Sequence, residues 1–504
     1  MRKYYIANPS PTPRNLTRLI ARKNGFFWAS VGEKEILRLF HAVARRVPAY
    51  KDFLLKHHIN TDKICSLQDF ANVPPIDKQN YLKVYSYKDL VWDGDVKQPI
   101  TIHSTSGSTG EPTYLQRNFA SDLRREFIIN NFFKNNNLTI TGPTLLVITF
   151  GMGVWSGGMG LYTAAYLSIN FNKYPISIVS PGVNKIEVLK ILKRIAPDFK
   201  QVVIAGYPPF VKDVLDEAVE TGVDLGSFDL RFIFTGEAFS EEFRDYVAKK
   251  SHLGDLFLDT MNTYGTSEFG ATAVETPLSI LVRRLADKQM LKRLFGDMNK
   301  TPTLAQYIPY FVNFECVEDE LILTGDGAVP LIRYKSGDNG GVLSYEDLED
   351  RLSDGGIDLT EEIRSRGLKS KVSKLPFVYV YERKNLATTL YGVLIYPEFI
   401  KAALMHPQIN SLLTGKFTMV QKYTTDQDQY LEINLELKKD VGITKTRENF
   451  IVRRIVEVLK DRSSEFRELA KNLDGRVAPR LVFWPQEYPE FFASGTKQKW
   501  VKKN

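Results

Sequence analysis

Apolar positions along this chain keep two rhythms. Between Glu33 and Arg46, Ile36, Leu37, Leu39, Phe40 and Val43 recur at helical spacing, which predicts a helix ending near Val47-Pro48-Ala49-Tyr50. Pro74 and Pro75 exclude a continuous helix through Val73–Lys78. Further on, short apolar runs alternate with helical segments. Thr144–Phe150, Gln201–Ala205 and Leu230–Phe234 read as buried strands. Ile186–Ile195, Phe210–Ala218 and Ser240–Lys250 read as helices, the last opened by a serine cap and an acidic first turn. Strand, loop and helix at this repeat predict α/β layers.

From Asn313 the rhythm shortens. Phe314–Val317, Glu320–Thr324 and Val329–Arg333 predict a smaller β-rich layer near 313–345, and the charged, glycine-broken stretch 346–371 predicts a surface excursion. A second unit begins near Lys384, with a helix from about Glu398, a strand at Tyr430–Leu437 and a helix at Phe450–Leu459. The expected division is 1–383, with a helical segment 1–95, followed by a small α+β domain at 384–504 of about 120 residues, an ordinary domain size.

At 504 residues and 43% apolar content the chain is too long for one ordinary core. Its 31 Phe and 24 Tyr exclude a disordered chain. The net charge of +8 is spread along the sequence, with one small cluster from Lys497 to Lys503. That spread describes a solvated basic surface, not a nucleic-acid-binding face, and suits anionic small molecules equally well. Two cysteines, Cys65 and Cys316, exclude a disulfide scaffold and a cysteine-rich zinc site, and fit a cytoplasmic home. The six histidines form no metal-ligand series. The opening residues carry no apolar core of a signal peptide. Thr144–Ile169 is uncharged, but five glycines interrupt it, so a strand, a glycine-rich loop and a helix explain it better than a membrane span.

The strongest local signal is Ser104-Thr105-Ser106-Gly107-Ser108-Thr109-Gly110-Glu111-Pro112-Thr113. Small residues let the backbone approach an anion, successive N–H groups form a nest, and hydroxyls add donors, which is what holding a triphosphate requires. A plain Ser/Gly turn has the same composition. Glu111 stands where a Walker loop needs Lys, so a P-loop NTPase is disfavoured.

With that loop, the chain resembles the adenylate-forming enzymes, in their phenylacetate–CoA ligase-like branch, over nearly its whole length. Val47-Pro48-Ala49-Tyr50 and Pro75-Ile76-Asp77-Lys78 also resemble that branch. The resemblance implies a large N-terminal adenylate-forming domain of layered sheets and helices, plus a small mobile α+β C-terminal domain. It implies that Ser104, Ser106, Gly107, Ser108, Thr109 and Gly110 grip the β- and γ-phosphates of ATP, and that Gly236, Glu237 and Ala238 line the adenine pocket. In Tyr264-Gly265-Thr266-Ser267-Glu268, Tyr264 would stack near adenine, Thr266 would approach the α-phosphate and Glu268 would hold Mg²⁺. Asp338 would accept both ribose hydroxyls, and Arg383 would lie near ribose or phosphate at a hinge where Asn385 replaces the family's acid. Lys497 matches the adenylation lysine, with Lys499 a close rival.

The implied reaction is attack of a carboxylate on the α-phosphate of MgATP, release of pyrophosphate, and transfer of the acyl group to CoA. Relatives pass the acyl group to an amine instead, and a catalytically inactive ATP-binding interaction protein is a third reading. His103 is a candidate base for an amine acceptor or a local structural residue. Phe150, Trp155, Tyr207 and Pro208 are candidates for the acid pocket, where they would favour an aromatic or bulky apolar acid, though such residues also fill cores.

Overall fold

The computed structural model describes residues 11–97, 100–104, 113–296, 301–383, 388–473, 475–492 and 501. The first predicted helix starts earlier than its apolar rhythm, spanning Gly25–Arg46. Asn24 opens it by accepting the Phe27 N–H at 3.1 Å, a polar start that apolar periodicity does not register. It stops as expected, because Val47 is extended ahead of Pro48, and a new helix runs Pro48–Lys56.

Among the described residues eleven strands form one sheet, in the order Val312–Val317, Glu320–Gly325, Leu331–Leu343, Phe377–Arg383, Thr303–Tyr307, Gly270–Val274, Thr260–Thr266, Asp229–Thr235, Gln201–Gly206, Thr144–Ile148 and Ile176–Val179. The last five are mutually parallel. Helices cover both faces there, so Thr144–Ile148 and Gln201–Gly206 are buried at every position. Burial on two faces is why these strands read as unbroken apolar runs.

Two expectations are corrected. The short strands after Asn313 form no separate layer; they extend the main sheet as an antiparallel wing. Gly340 permits the join, since a Cβ there would lie 2.0 Å from the Tyr379 carbonyl oxygen. Residues 346–371 are no mere surface excursion either. Helices Tyr345–Ser353 and Leu359–Ser365 bury Tyr345, Leu348, Leu352, Leu359 and Ile363 against Leu281, Leu294 and Phe377. Those positions keep helical spacing beneath a heavily charged outer face.

The chain ends in a smaller α+β part. It holds the hairpin Thr388–Leu390/Val393–Ile395, a sheet of Leu413–Tyr423, Gln429–Leu437 and Arg480–Trp484, and the helices Pro397–Leu404, Lys445–Arg462 and Ser464–Asn472. This is the expected fold class, a large α/β part followed by a small α+β one. The predicted boundary at Lys384 lies outside the described residues. Tyr391 and Gly392, the hairpin turn, have φ of 50° and 78°. Two left-handed residues in a two-residue loop match the twist of the flanking strands, and glycine takes such a φ without steric cost. Among the described residues no helix is long and apolar enough to cross a membrane.

Candidate active site

A cavity of about 270 Å³ opens beyond the carboxyl ends of the parallel strands Asp229–Thr235 and Thr260–Thr266. Crevices in this position are where open α/β sheets bind ligands. Gly236, Glu237, Ala238, Tyr264, Gly265, Thr266 and Asp338 all line it, so the structure gathers seven sequence-predicted residues from three separated segments. Thr388, Gly392, Gln421 and Glu465 of the smaller part close it from the other side.

Each segment is held by identifiable bonds. Gly236 has φ 88° where the strand turns, and a Cβ there would lie 2.8 Å from the Tyr207 ring. Glu237 is buried, and its carboxylate accepts the Gly392 N–H and, at 2.7 Å, the Gln429 side-chain amide. The Tyr391 N–H donates to the oxygen of the same Gln429 amide at 2.6 Å, which fixes that side chain's orientation. Across the cavity the Tyr264 hydroxyl donates to Asp338 at 2.7 Å. Asp338 faces Arg383 in strand register, placing the backbones of these two predicted residues side by side.

Behind the cavity, Arg117 fixes the loop after Thr266. Its guanidinium donates to the Glu268 carbonyl at 2.6 Å and to the Ser267 carbonyl. Burial, then the neighbouring Arg125 charge, push Arg117 down to about 9, so it remains a cation at neutral pH. Glu268 is buried and pairs with Lys78 at 3.0 Å. The segment before Lys78 is tied to strand Leu331–Leu343, with the Ile76 N–H on the Arg333 carbonyl at 3.0 Å and the Lys335 N–H on the Ile76 carbonyl at 2.8 Å. That anchoring carries Lys78 to Glu268.

Other predicted residues are placed differently. Ser104 ends strand Ile100–Ser104, its N–H on the Val154 carbonyl at 2.8 Å. Ser106, Gly107, Ser108, Thr109 and Gly110 of the phosphate loop lie outside the described residues, as do Asn385, Lys497 and Lys499. None of the four acid-pocket candidates lines the 270 Å³ cavity. Phe150 packs edge-on against Tyr207 at 5.1 Å, and Tyr207 backs Gly236 and Gly392. Trp155 precedes helix Ser156–Asn172 and is bridged to Ser104, while Pro208 opens helix Pro208–Glu220. His103 is buried, and burial together with the Arg117 and Arg125 charges pushes it down to about 4, so it is neutral at pH 7. Among the described residues no cluster of three His, Cys, Asp or Glu is placed to hold a metal.

No family model and no curated protein matches the chain in sequence. Solved structures match it in fold. A 2-hydroxyisobutyryl-CoA ligase, crystallised with 2-HIB-AMP and CoA in the thioesterification state, aligns over 99% of this chain and 95% of its own at a TM-score of 0.65 and 15% identity. The chain has the fold of that ligase. The same ligase in its postadenylation state with R3-HIB-AMP aligns at 0.55 and 14% identity over 99% and 95% of the two chains. Its open conformation with 2-HIB-AMP and CoA gives 0.55 and 14% over 99% and 97%.

Four residues at or near the site carried no role in the sequence reading. Lys78 belonged to a resembling segment, but nothing local marked it as the partner of Glu268. Arg117 sits in an ordinary strand. Gln429 begins one. Glu465 lies in the first turn of helix Ser464–Asn472 and lines the cavity, where burial pushes its carboxyl up to about 7.

Proposed function

We propose that this chain activates a carboxylic acid with ATP, forming an acyl-adenylate and pyrophosphate, and then transfers the acyl group to CoA with release of AMP. The observation that carries this reading is the convergence of Gly236–Ala238, Tyr264–Thr266 and Asp338 on one cavity, with the smaller part closing over it. In this reading Asp338 accepts the ribose hydroxyls, a task suited to an acceptor-only carboxylate, and Tyr264 both orients Asp338 and flanks the adenine. Residues 236–238 form the adenine wall. Thr266 meets the α-phosphate, the Ser104–Thr113 loop holds the leaving pyrophosphate, and Arg383 stands beside the ribose.

Attack needs no side-chain nucleophile. The acid oxygen and the α-phosphorus must be aligned and their mutual repulsion offset, and Lys497 is assigned that charge. Glu268 supplies one buried carboxylate, an oxygen ligand for a hard cation such as Mg²⁺. That suits an ion bound chiefly through phosphate and water. Mg²⁺ bound with the nucleotide would offset phosphate charge and polarise the phosphorus under attack. CoA as acceptor is supported by the match in fold, over 99% of the chain at a TM-score of 0.65, to a 2-hydroxyisobutyryl-CoA ligase.

Acid-dependent ATP–pyrophosphate exchange tests the first half. Exchange with some acid, followed by thioester formation on adding CoA, is the expected result. Amide formation with a supplied amine but no thioester with CoA would overturn the acceptor assignment. ATP binding without exchange, across aromatic, aliphatic and cyclic acids, would favour a nucleotide-binding protein without chemistry.

A further inference from the structure

Arg124 and Arg125 are neighbours on helix Phe119–Lys134 and have opposite fates. Arg124 is satisfied, donating to the Asp326 carbonyl at 2.6 Å and its carboxylate at 2.9 Å. Arg125 is 6% exposed, and no hydrogen bond reaches it among the described residues. Its Nη1 is fully enclosed without a partner. The nearest acid, Asp122, stands 3.9 Å away, beyond hydrogen-bond distance, and burial raises the pKa of that carboxyl. Among the described residues, Asp326 is paired with Arg124 and Glu268 with Lys78. His103 is neutral, and Arg117 adds a second cation. A buried guanidinium left in this state is costly, because nothing replaces the water it lost.

Its position is specific. A Cβ on Gly160, in helix Ser156–Asn172, would lie 2.1 Å from Nη1, and one on Gly270 would lie 2.5 Å from Nη2. Glycine at both places admits the guanidinium. Gly270 is paired across its hairpin with Thr266, the residue assigned to the α-phosphate, so the guanidinium lies against the hairpin position opposite Thr266. Arg125 also borders a pocket of about 30 Å³ with Ser121, Ile128, Ala271 and Thr272, room for one small polar group.

We propose that Arg125 receives a second carboxylate of the acid substrate, so that this chain activates dicarboxylic acids. The inference rests on the acid-activating reading above. The reacting carboxylate is not a sufficient partner, because it becomes a neutral acyl group when the mixed anhydride forms. Arg125 stays buried and charged through that step and needs an anion that survives it. A planar guanidinium meets a carboxylate through two parallel hydrogen bonds, which gives direction as well as attraction.

The test is pyrophosphate exchange with saturated dicarboxylates of graded length against the monocarboxylates of equal length, in wild type, R125M, R125K and G160A. The wild type is expected to prefer a diacid by about tenfold or more in kcat/KM, the scale of one charged hydrogen-bonded pair. R125M should lose that preference through the acid KM while still exchanging with monoacids, R125K should keep part of it, and G160A should lose it by displacing the guanidinium. Independently of turnover, the preferred diacid should raise the Tm of the wild type but not of R125M. Equal or better use of monoacids by the wild type, or an unchanged preference in R125M, overturns the proposal and leaves acid activation standing. No exchange with either panel overturns acid activation itself, and the diacid assignment with it.

Discussion

Tyr264 and Asp338, on the floor of the cavity, sit on strands bonded to neighbours on both sides, while Gly392, Gln421 and Glu465, on its roof, belong to the smaller part. The floor is set by the main sheet and by Arg117, whose bonds are desolvated. The roof meets the rest through polar contacts: Glu237 with Gly392 and Gln429, Lys212 with Asp428 at 2.7 Å, and Arg476 with Asp213 at 2.5 Å, alongside apolar packing that runs from Phe210 and Phe232 to Leu390 and Phe417. The floor therefore suits a nucleotide that stays through both half-reactions. The roof suits a part that is exchanged between them, since in each of its ion pairs one partner is nearly half exposed and within reach of water.

That contrast can be broken from either side. The largest effect is expected from K497A, which should slow exchange by roughly two to three orders of magnitude, the scale for losing a charge aimed at the transition state, while transfer from a supplied acyl-adenylate falls far less. Equal losses in both half-reactions by a folded protein would sink the assignment of Lys497. On the floor, D338A should weaken ATP by about 2–3 kcal/mol, and Y264F by roughly half as much, in both half-reactions alike, read from nucleotide titration. On the roof, E237Q removes the carboxylate that Gly392 and Gln429 share. It should cost about 1–3 kcal/mol of docking and slow thioester formation more than exchange.

Glu465 gives the contrast a pH dependence. Burial raises its carboxyl from the ordinary value of 4.5 to about 7, so between those values the folded chain holds a proton that the unfolded chain has lost. Stability should therefore fall as pH rises from about 4.5 through about 7, and E465Q should flatten that slope in Tm measured from pH 5 to 8. The smallest change belongs to D428N. Asp428 is nearly half exposed, and losing its pair with Lys212 should cost only about 0.2–1 kcal/mol in thermal unfolding.

Much of this architecture was legible because burial writes itself into spacing. The parallel strands read as apolar runs, and helix Glu241–Lys250 was visible from its Ser240 cap. Residues 346–371 were misjudged because Glu346, Asp347, Glu349, Asp350 and Arg351 outnumber the buried Tyr345, Leu348 and Leu352 in the same helix. The wing strands were recognised singly, but their membership of the main sheet depends on pairing between distant segments. At the site, motifs located Tyr264, Asp338 and Gly236, yet the bond joining Tyr264 to Asp338 spans 74 positions and leaves no local trace. Arg125 is the extreme case. In Asp122-Leu123-Arg124-Arg125-Glu126 it looks like half of a solvated charged pair, and only the close approach of Gly160 and Gly270 shows that it is enclosed.

The left-handed turn at Tyr391-Gly392 has one further consequence. Its Gly392 N–H is spent on Glu237, which also lines the cavity proposed to hold the nucleotide, so ligand occupancy there and the seating of the smaller part would share one residue. Two equilibria that share a residue are thermodynamically linked, and the linkage is reciprocal: whatever factor a ligand gains from the seated arrangement, it returns to the seating equilibrium. A fluorophore pair spanning this hairpin and helix Pro208–Glu220 would then report adenylate occupancy directly, without any turnover.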